Sequence, residues 1–438
     1  MSSPETIAAI ATAPAPGAIG IVRISGPAAW NIWQRLCQLQ EPLPPPRTAR
    51  LVKFWDEGGD CIDEGLAIGF RAPASFSGED SVELNLHGNP LLLEWILKRV
   101  LDLGARLAHP GEFSQRAFIN NKLDLAQAEA VADLISAGSQ DAIRAAQNSL
   151  QGLFSEACEA ITSRILMLRA EVEAWLDFPE EDIDPGIQDA WQATLATIEG
   201  SLETLLADAR QGCQLNTGLN VLLLGAPNTG KSTLLNALAQ REVALVSDIQ
   251  GTTRDLVAEQ MVLNGVPIRI SDSAGLRDST DPIEQMGVER ALQAAQNADR
   301  ILCLSAPDAA FAEIPKDCQA RVIWVHNKTD LLGQESGWRG ETLYISAKTR
   351  SGLNLLADAL CGQKLQHSAF SARQRHLDAL ELASRHLQAS AAPLNDSQQW
   401  ELAAEELRQA QQAIGLITGE VNNEELLGTI FSSFCIGK

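Results

Sequence analysis

The stretch GAPNTGKS, residues 225–232, decides the fold. It has the form GxxxxGK[ST], it follows the apolar run LNVLLLG (219–225), and it leads into STLLNALA (232–239). The run reads as a buried strand and the segment after the motif as a helix, the strand–loop–helix context that a phosphate-binding loop requires. Its glycines let backbone N–H groups curl around phosphate oxygens. Lys231 is placed to reach the terminal phosphates, and the Ser232 hydroxyl suits Mg²⁺. The bland alternative is a chance glycine-rich turn, and the motifs downstream weigh against it.

Asp272-Ser273-Ala274-Gly275 is a DxxG at an expected strand end. Its Asp suits a water-mediated Mg²⁺ contact and its Gly N–H the γ-phosphate. Asn327-Lys328-Thr329-Asp330 is an NKxD after another apolar strand, and Ser346-Ala347-Lys348 follows the next one. A carboxylate at Asp330 accepts two hydrogen bonds from the N1–H and 2-amino group of guanine. Adenine has no such pair, so the nucleotide read from these residues is GTP. Asn228, Thr229, Gly230 and Thr233 complete the expected phosphate contacts. Ras-like GTPases place a Gln after DxxG to orient the attacking water. Leu276 stands there and cannot, so Glu284, within RDSTDPIEQ (277–285), is the candidate for that task. VSDIQGTTRD (246–255) should supply one Thr to Mg²⁺, and Ser247, Asp248, Ile249, Gln250, Gly251, Thr252 and Thr253 are all expected beside the nucleotide. No arginine finger in cis is evident, although Arg254 is available; some other charge must offset the transition state.

Working outward, further strands are expected at RILCLSA (300–306), RVIWVHN (321–327) and TLYISA (342–347), and a hairpin at MVLNGVPIRI (261–270) turning on Asn264-Gly265. This βα texture is flanked by helical sequence. Phe154, Cys158, Ile161, Ile165, Leu168, Val172 and Trp175 step by four and three, the seam of one long helix ended near Pro179. Residues 188–212 and about 371–438 are helical again, the latter broken near Pro393 and Asn395. Residues 1–122 alternate short strands, such as AIGIVRISG (18–26) and EGLAIGFRAP (64–73), with turns and one helix at PLLLEWILKRVLDLG (90–104). The expected fold class is therefore multidomain α/β plus α. It comprises an N-terminal α+β domain (1–122), a discontinuous helical domain (123–216 plus 366–438), and an inserted Ras-like P-loop domain (217–365).

The chain has 438 residues and a formal charge of −22, of which residues 1–122, with 11 Lys/Arg and 13 Asp/Glu, carry little. Such a surface repels nucleic acid on average, so RNA contact must be local or made through a partner. No apolar run reaches the ~18 residues of a membrane span, and the N-terminus lacks the basic region of a secretory signal. The 8 cysteines form no CxxC and read as reduced thiols in a cytoplasmic protein.

GTTRD (251–255), PGEFSQRAFINNKLDLAQAEAVADLI (110–135) and the terminal FCIGK (434–438) together resemble the MnmE (TrmE) family of bacterial tRNA wobble-uridine modification GTPases, along essentially the whole chain. The resemblance implies G domains that are activated by K⁺ and pair face to face, the cation standing where an arginine finger would. It carries K⁺ ligation onto Asn228, Ser247, Ile249 and Thr252, Mg²⁺ ligation onto Ser232 and Thr253, and the water-orienting role onto Glu284. Arg254 and Asp255 would belong to the switch that closes the pair. It implies an N-terminal domain that binds 5-formyl- or 5,10-methylene-tetrahydrofolate through Arg23, Glu83, Lys122 and Lys438 and forms a constitutive homodimer. It also implies a flavin- and NADH-using partner, MnmG, in a heterotetramer or larger complex through which tRNA is mainly bound. The reaction adds aminomethyl or carboxymethylaminomethyl groups to carbon 5 of the wobble uridine. The chain departs from the family in DSAG for DTAG, in Ala226 where many members have Arg, and in an arginine missing from ATAPAPGAIG (11–20).

Cys435 has three readings: a lipid anchor, a packed thiol, or a reactive group delivered to the folate site by the C-terminal helix. The anchor fits poorly, because Lys438 is an unusual last residue for a prenylation box and no polybasic run precedes it. A thiolate needs a lowered pKa from local positive charge. From another class, a ribosome-assembly GTPase switch would share the nucleotide motifs. It would need an RNA-binding appendage, and no basic GXXG segment follows residue 365.

Overall fold

A computed structural model of the chain describes residues 5–40, 44–177, 186–239, 258–272, 295–296, 298–312, 314, 321–362, 370–420, 424–432, 434 and 436–437. Backbone contacts divide it into two units, Met1–Ala132 with Ile414–Lys438, and Asp133–Ala413. Each is described by itself.

The first unit holds β1 (Ile7–Ile10), β2 (Gly17–Ser25), α1 (Ala29–Leu36), β3 (Ala49–Trp55), β4 (Cys61–Phe70), β5 (Ser81–Gly88), α2 (Pro90–Asp102), β6 (Arg106–Leu107), α3 (Glu112–Ile119) and the start of α4 (Leu125–Ser136). The strands form one sheet in the order β3-β4-β5-β2-β1-β6, in which only the β1–β6 pairing is parallel. Alternation along β5 turns Val82, Leu84 and Leu86 to one face, where Trp30, Ile32 and Trp33 of α1 and Leu93, Ile96 and Val100 of α2 bury against them. Asn89 caps α2 through its side chain, which accepts from the Leu91 amide, with Pro90 at the first helical position. The C-terminal segment belongs to this unit: Ile430, Phe431 and Phe434 pack on Leu125 and Ala128 of α4.

The second unit continues with α5 (Gln140–Leu150), α6 (Leu153–Asp177), α7 (Ile187–Thr217), β7 (Leu219–Gly225), α8 (Lys231–Ala239), β8 (Ala258–Leu263), β9 (Val266–Asp272), β10 (Arg300–Ser305), β11 (Val322–His326), α9 (Thr329–Leu332), β12 (Gly337–Arg339), β13 (Thr342–Tyr344), α10 (Leu353–Cys361), α11 (Gln374–Ala391) and all but the last turn of α12 (Trp400–Thr418). Helix α13 (Glu424–Ser432) closes the first unit. The seam expected on α6 is buried from Phe154 to Val172, whereas Trp175, in the last turn, is half-buried. Helix α7 runs five residues beyond the expected end and stops at Gly218 (φ 69°). Its own stripe, Trp191, Leu195, Ile198, Leu202 and Leu205, follows the same step and is buried.

The sheet of this unit runs β12-β13-β11-β10-β7-β9-β8, parallel except for the edge strands β12 and β8. The hairpin β8–β9 turns on Asn264 (φ 51°) and Gly265 (φ 86°), as its sequence predicts. Ala142 and Ala145 of α5 share one apolar core with Leu223, Leu234, Ile268 and Val325. Among the described residues no helix is long and apolar enough to cross a membrane.

Candidate functional site

Two sites emerge, one in each unit. In the second, β7 is an inner parallel strand, and the chain leaves its C-terminal end to enter α8. This is where open parallel sheets bind ligands. Asn228 adopts φ 64° and Gly230 φ 94°, so the loop curls tightly. Thr229 is buried and its hydroxyl donates to the Ala226 carbonyl at 2.9 Å. The Lys231 ammonium folds back over the loop, donating to the carbonyls of Gly225 (2.9 Å) and Ala226 (3.2 Å). Ser232 and Thr233, in the first turn of α8, are exposed. Unpaired N–H groups and a positive dipole end make this turn suited to anions.

The other motifs converge on this loop. Asn327, 2% exposed, donates from Nδ2 to the Thr229 carbonyl (2.9 Å) and accepts at Oδ1 from the Ala347 amide (3.0 Å). It thereby ties three expected motifs together. The Ser346 hydroxyl donates to Asp330 Oδ1 at 2.6 Å, which orients an exposed carboxylate. Lys328 sits in the left-handed region (φ 64°) and pairs with Asp308 at 3.4 Å; Lys348 is exposed. Asp272 ends β9 beside β7, in register with Leu223. Ser247, Asp248, Ile249, Gln250, Gly251, Thr252, Thr253, Ser273, Ala274, Gly275 and Glu284 lie outside the described residues.

In the first unit, Arg23 of β2 and Glu83 of β5 face each other across the register of the two strands. Arg23 donates from Nε to Glu83 Oε1 at 3.0 Å, with a second nitrogen 2.9 Å from the same oxygen. They line a cavity of about 90 Å³ with Phe70, Phe76, Ser77, Ser81 and Phe113. The guanidinium lies 5.5 Å from the centre of the Phe76 ring and 5.8 Å from that of Phe113. The tail reaches this point too: Arg23 donates to the Gly437 carbonyl at 3.4 Å. Gly437 has φ 98°, and a Cβ there would stand 2.4 Å from the Ile10 carbonyl. Gly437→Ala should therefore lift the tail off β1. The expected result is faster proteolysis after residue 432 with the thermal midpoint within about 3 °C of the parent. Equal proteolysis of both chains would count against the seat. Lys122 does not line the cavity; its stem packs near Gly78, in the loop that holds Ser77. Cys435 and Lys438 lie outside the described residues.

A polar network beneath the cavity was not foreseen. Ser25 donates to Glu79 Oε2 (2.8 Å) and lies 2.6 Å from the Ser77 hydroxyl. Glu79 pairs with Arg116 (2.9 Å), which also holds Glu112 (2.9 Å). Glu112 further accepts from Arg106 and the His109 amide. Burial alone would raise its pKa, but hydrogen bonds from Arg106, His109 and Arg116 outweigh that and hold it at about 2. Two buried thiols show the opposite: burial pushes Cys37 up to about 12 and Cys303 up to about 11, values of packing groups rather than nucleophiles.

A family profile described as the MnmE helical domain matches residues 125–435, and one described as the GTP-binding protein TrmE N-terminus matches residues 6–122. The chain is 48% identical over 453 residues to the tRNA modification GTPase MnmE of Ectopseudomonas mendocina, covering 99% of each protein. The protein of that name from Pseudomonas syringae pv. tomato is 48% identical over 454 residues, again covering 99% of both. Among solved structures, the G domain of the T. maritima FeoB iron transporter is 21% identical and covers 32% of this chain and 96% of that chain, with a TM-score of 0.24.

Proposed function

This chain belongs to the MnmE family, and we propose that it is a tRNA modification GTPase in which GTP hydrolysis gates a folate-dependent one-carbon transfer to the wobble uridine. The observation that carries the reading is Asn327, which joins the phosphate loop to the base-recognition segments in one hydrogen-bonded unit. Lys231 exchanges its two loop carbonyls for phosphate oxygens, and Asp330 holds the guanine edge. Ser232 and Thr253 would hold Mg²⁺, and Asn228, Ser247, Ile249 and Thr252 would hold K⁺. The cations supply positive charge where the transferring phosphoryl group gains negative charge. The exposure of Asn228 and Ser232 and their oxygen-rich chemistry fit that role. Glu284 orients the attacking water in place of the missing glutamine.

The cavity in the first unit fits a flat heterocycle with donor and acceptor edges, since one carboxylate and one guanidinium meet between aromatic rings. Glu83 would clamp the amidine-like edge of the pterin and Arg23 its carbonyl, while Lys122, off the cavity lining, and Lys438 suit the glutamate tail. The folate supplies the one-carbon unit, and Cys435 supports the transfer. The charge of −22 suits a division of labour in which a cytoplasmic homodimer works with the flavoprotein MnmG, and the partner carries most of the tRNA-binding charge.

GTP turnover in K⁺ should exceed that in Na⁺ by about tenfold or more, the scale of one charge-stabilising group, and Asn228→Ala should remove the difference. Equal rates in the two salts would reject the K⁺ reading and leave the GTPase standing. Glu83→Gln should weaken 5-formyl-tetrahydrofolate binding about tenfold, the loss of one charge-assisted hydrogen bond, with GTP turnover unchanged. Calorimetry showing equal affinities would remove Glu83 from the site.

A further inference from the structure

The β8–β9 turn lies at the end of β9 remote from Asp272, and three helices hold it. Ser139 caps α5, accepting from the Ala142 amide at 3.0 Å, while its own proton goes to the Gly265 carbonyl at 2.6 Å. Asn264 donates to Asp358 Oδ1 of α10 at 2.9 Å and to the Gly362 carbonyl at 3.1 Å. Pro267 packs against Gly218, where α7 ends. Gly265 lies so close to Asp141 that a Cβ there would stand 2.2 Å from Oδ2. An Asn-Gly turn needs none of these outside partners to form.

Helix α5 extends from this grip into the helical part of the unit. Its far end carries Ser149, which donates to the Ser371 carbonyl (3.0 Å) and accepts from the Ser371 amide (2.9 Å). The Ser371 hydroxyl donates to Asp133 Oδ2 (3.1 Å), and Arg373 holds Asp133 Oδ1 at 2.6 Å. β9 is hydrogen-bonded along its length between β7 and β8, so a shift at Asp272 that is carried along the strand reaches the turn and, through the grip, α5.

We propose that the Asn264-Gly265 turn, latched by Ser139, is the link through which the nucleotide state at Asp272 sets the position of α5. Ser139 and Asn264 are then positioning residues for the modification reaction and have no part in hydrolysis. The proposal rests on the functional reading above and deepens it.

The test separates the latch from the cap. Ser139→Asp keeps an N-cap acceptor, because Asp caps as well as Ser, but has no proton for the Gly265 carbonyl. Ser139→Thr keeps both functions. Hydrogen exchange of the α5 amides is measured in the full chain with GDP and with a non-hydrolysable GTP analogue, beside GTP turnover and wobble-uridine modification. The expected result is α5 exchange that depends on nucleotide in the parent and in Ser139→Thr, and does not in Ser139→Asp. Ser139→Asp should keep turnover within about twofold and lose modification by about tenfold, a coupling of ordinary size. Nucleotide-independent α5 exchange in the parent overturns the latch, as does normal modification by Ser139→Asp. Joint loss of turnover and modification in that variant overturns it too, by making the contact merely structural. A parent chain that fails to turn over GTP refutes the functional reading itself, whatever the exchange data show for the latch.

Discussion

Asp330→Asn is expected to lower GTP affinity by about 10²–10⁴-fold, because two hydrogen bonds to a charged acceptor, each worth roughly 1.5–3 kcal/mol, are lost together. Geometry makes the effect specific. The Ser346 hydroxyl donates to Asp330 Oδ1 at 2.6 Å and fixes the carboxyl plane. In the variant the amide oxygen inherits that bond, which turns Nδ2 toward the base. Donor then meets donor at the guanine 2-amino group, an arrangement that a site built on complementary hydrogen bonds rejects. Xanthosine nucleotides carry an oxygen there and should bind the variant better than guanosine nucleotides do. Titration of fluorescent GDP and XDP against both chains checks this. GDP affinity within about threefold of the parent would show that base selection lies elsewhere.

Much of this site was legible because its chemistry is local. GAPNTGKS and NKTD each fit within a few residues, and Asn264-Gly265 fixed the hairpin without tertiary information. The α6 seam was readable for the same reason, since one helix face repeats in sequence. Other features pair residues far apart in the chain, and no local pattern announces them. Asn327 meets Thr229 across 98 positions and Ser139 meets Gly265 across 126. The tail's seat is more remote still, with Arg23 and Gly437 separated by 414 positions. Family resemblance assigned both ends of the chain to one folate site. What the residues alone did not show was the backbone carbonyl of Gly437 beside Arg23, or the Ser25–Glu79–Arg116–Glu112 network below.

Glu112→Gln should destabilise the first unit by about 3 kcal/mol at pH 7, and the loss should shrink as the solution is acidified. The carboxylate is 8% exposed and accepts from two guanidinium groups and one amide. Removing its charge leaves Arg106 and Arg116 short of a partner in a low-dielectric setting, where breaking such pairs costs about 3–5 kcal/mol. The pH dependence follows from a pKa held at about 2 against an ordinary 4.5. A depressed carboxyl stabilises the fold fully above the ordinary value and loses that contribution as pH falls toward the folded value. The gap between parent and variant should therefore hold from pH 7 to about 5.5 and fall to under about half by pH 3. Trp30 and Trp33, buried in the core of the same unit, report its unfolding by fluorescence. A gap that stays constant down to pH 3 would show that Glu112 acts through its shape and not through its charge. If charge is the cause, the cavity should suffer with the fold. Phe113, the residue after Glu112, forms part of its wall and stands under Arg23. If the proposed folate site is correct, the variant should then bind 5-formyl-tetrahydrofolate more weakly at pH 7 even where the unit stays folded.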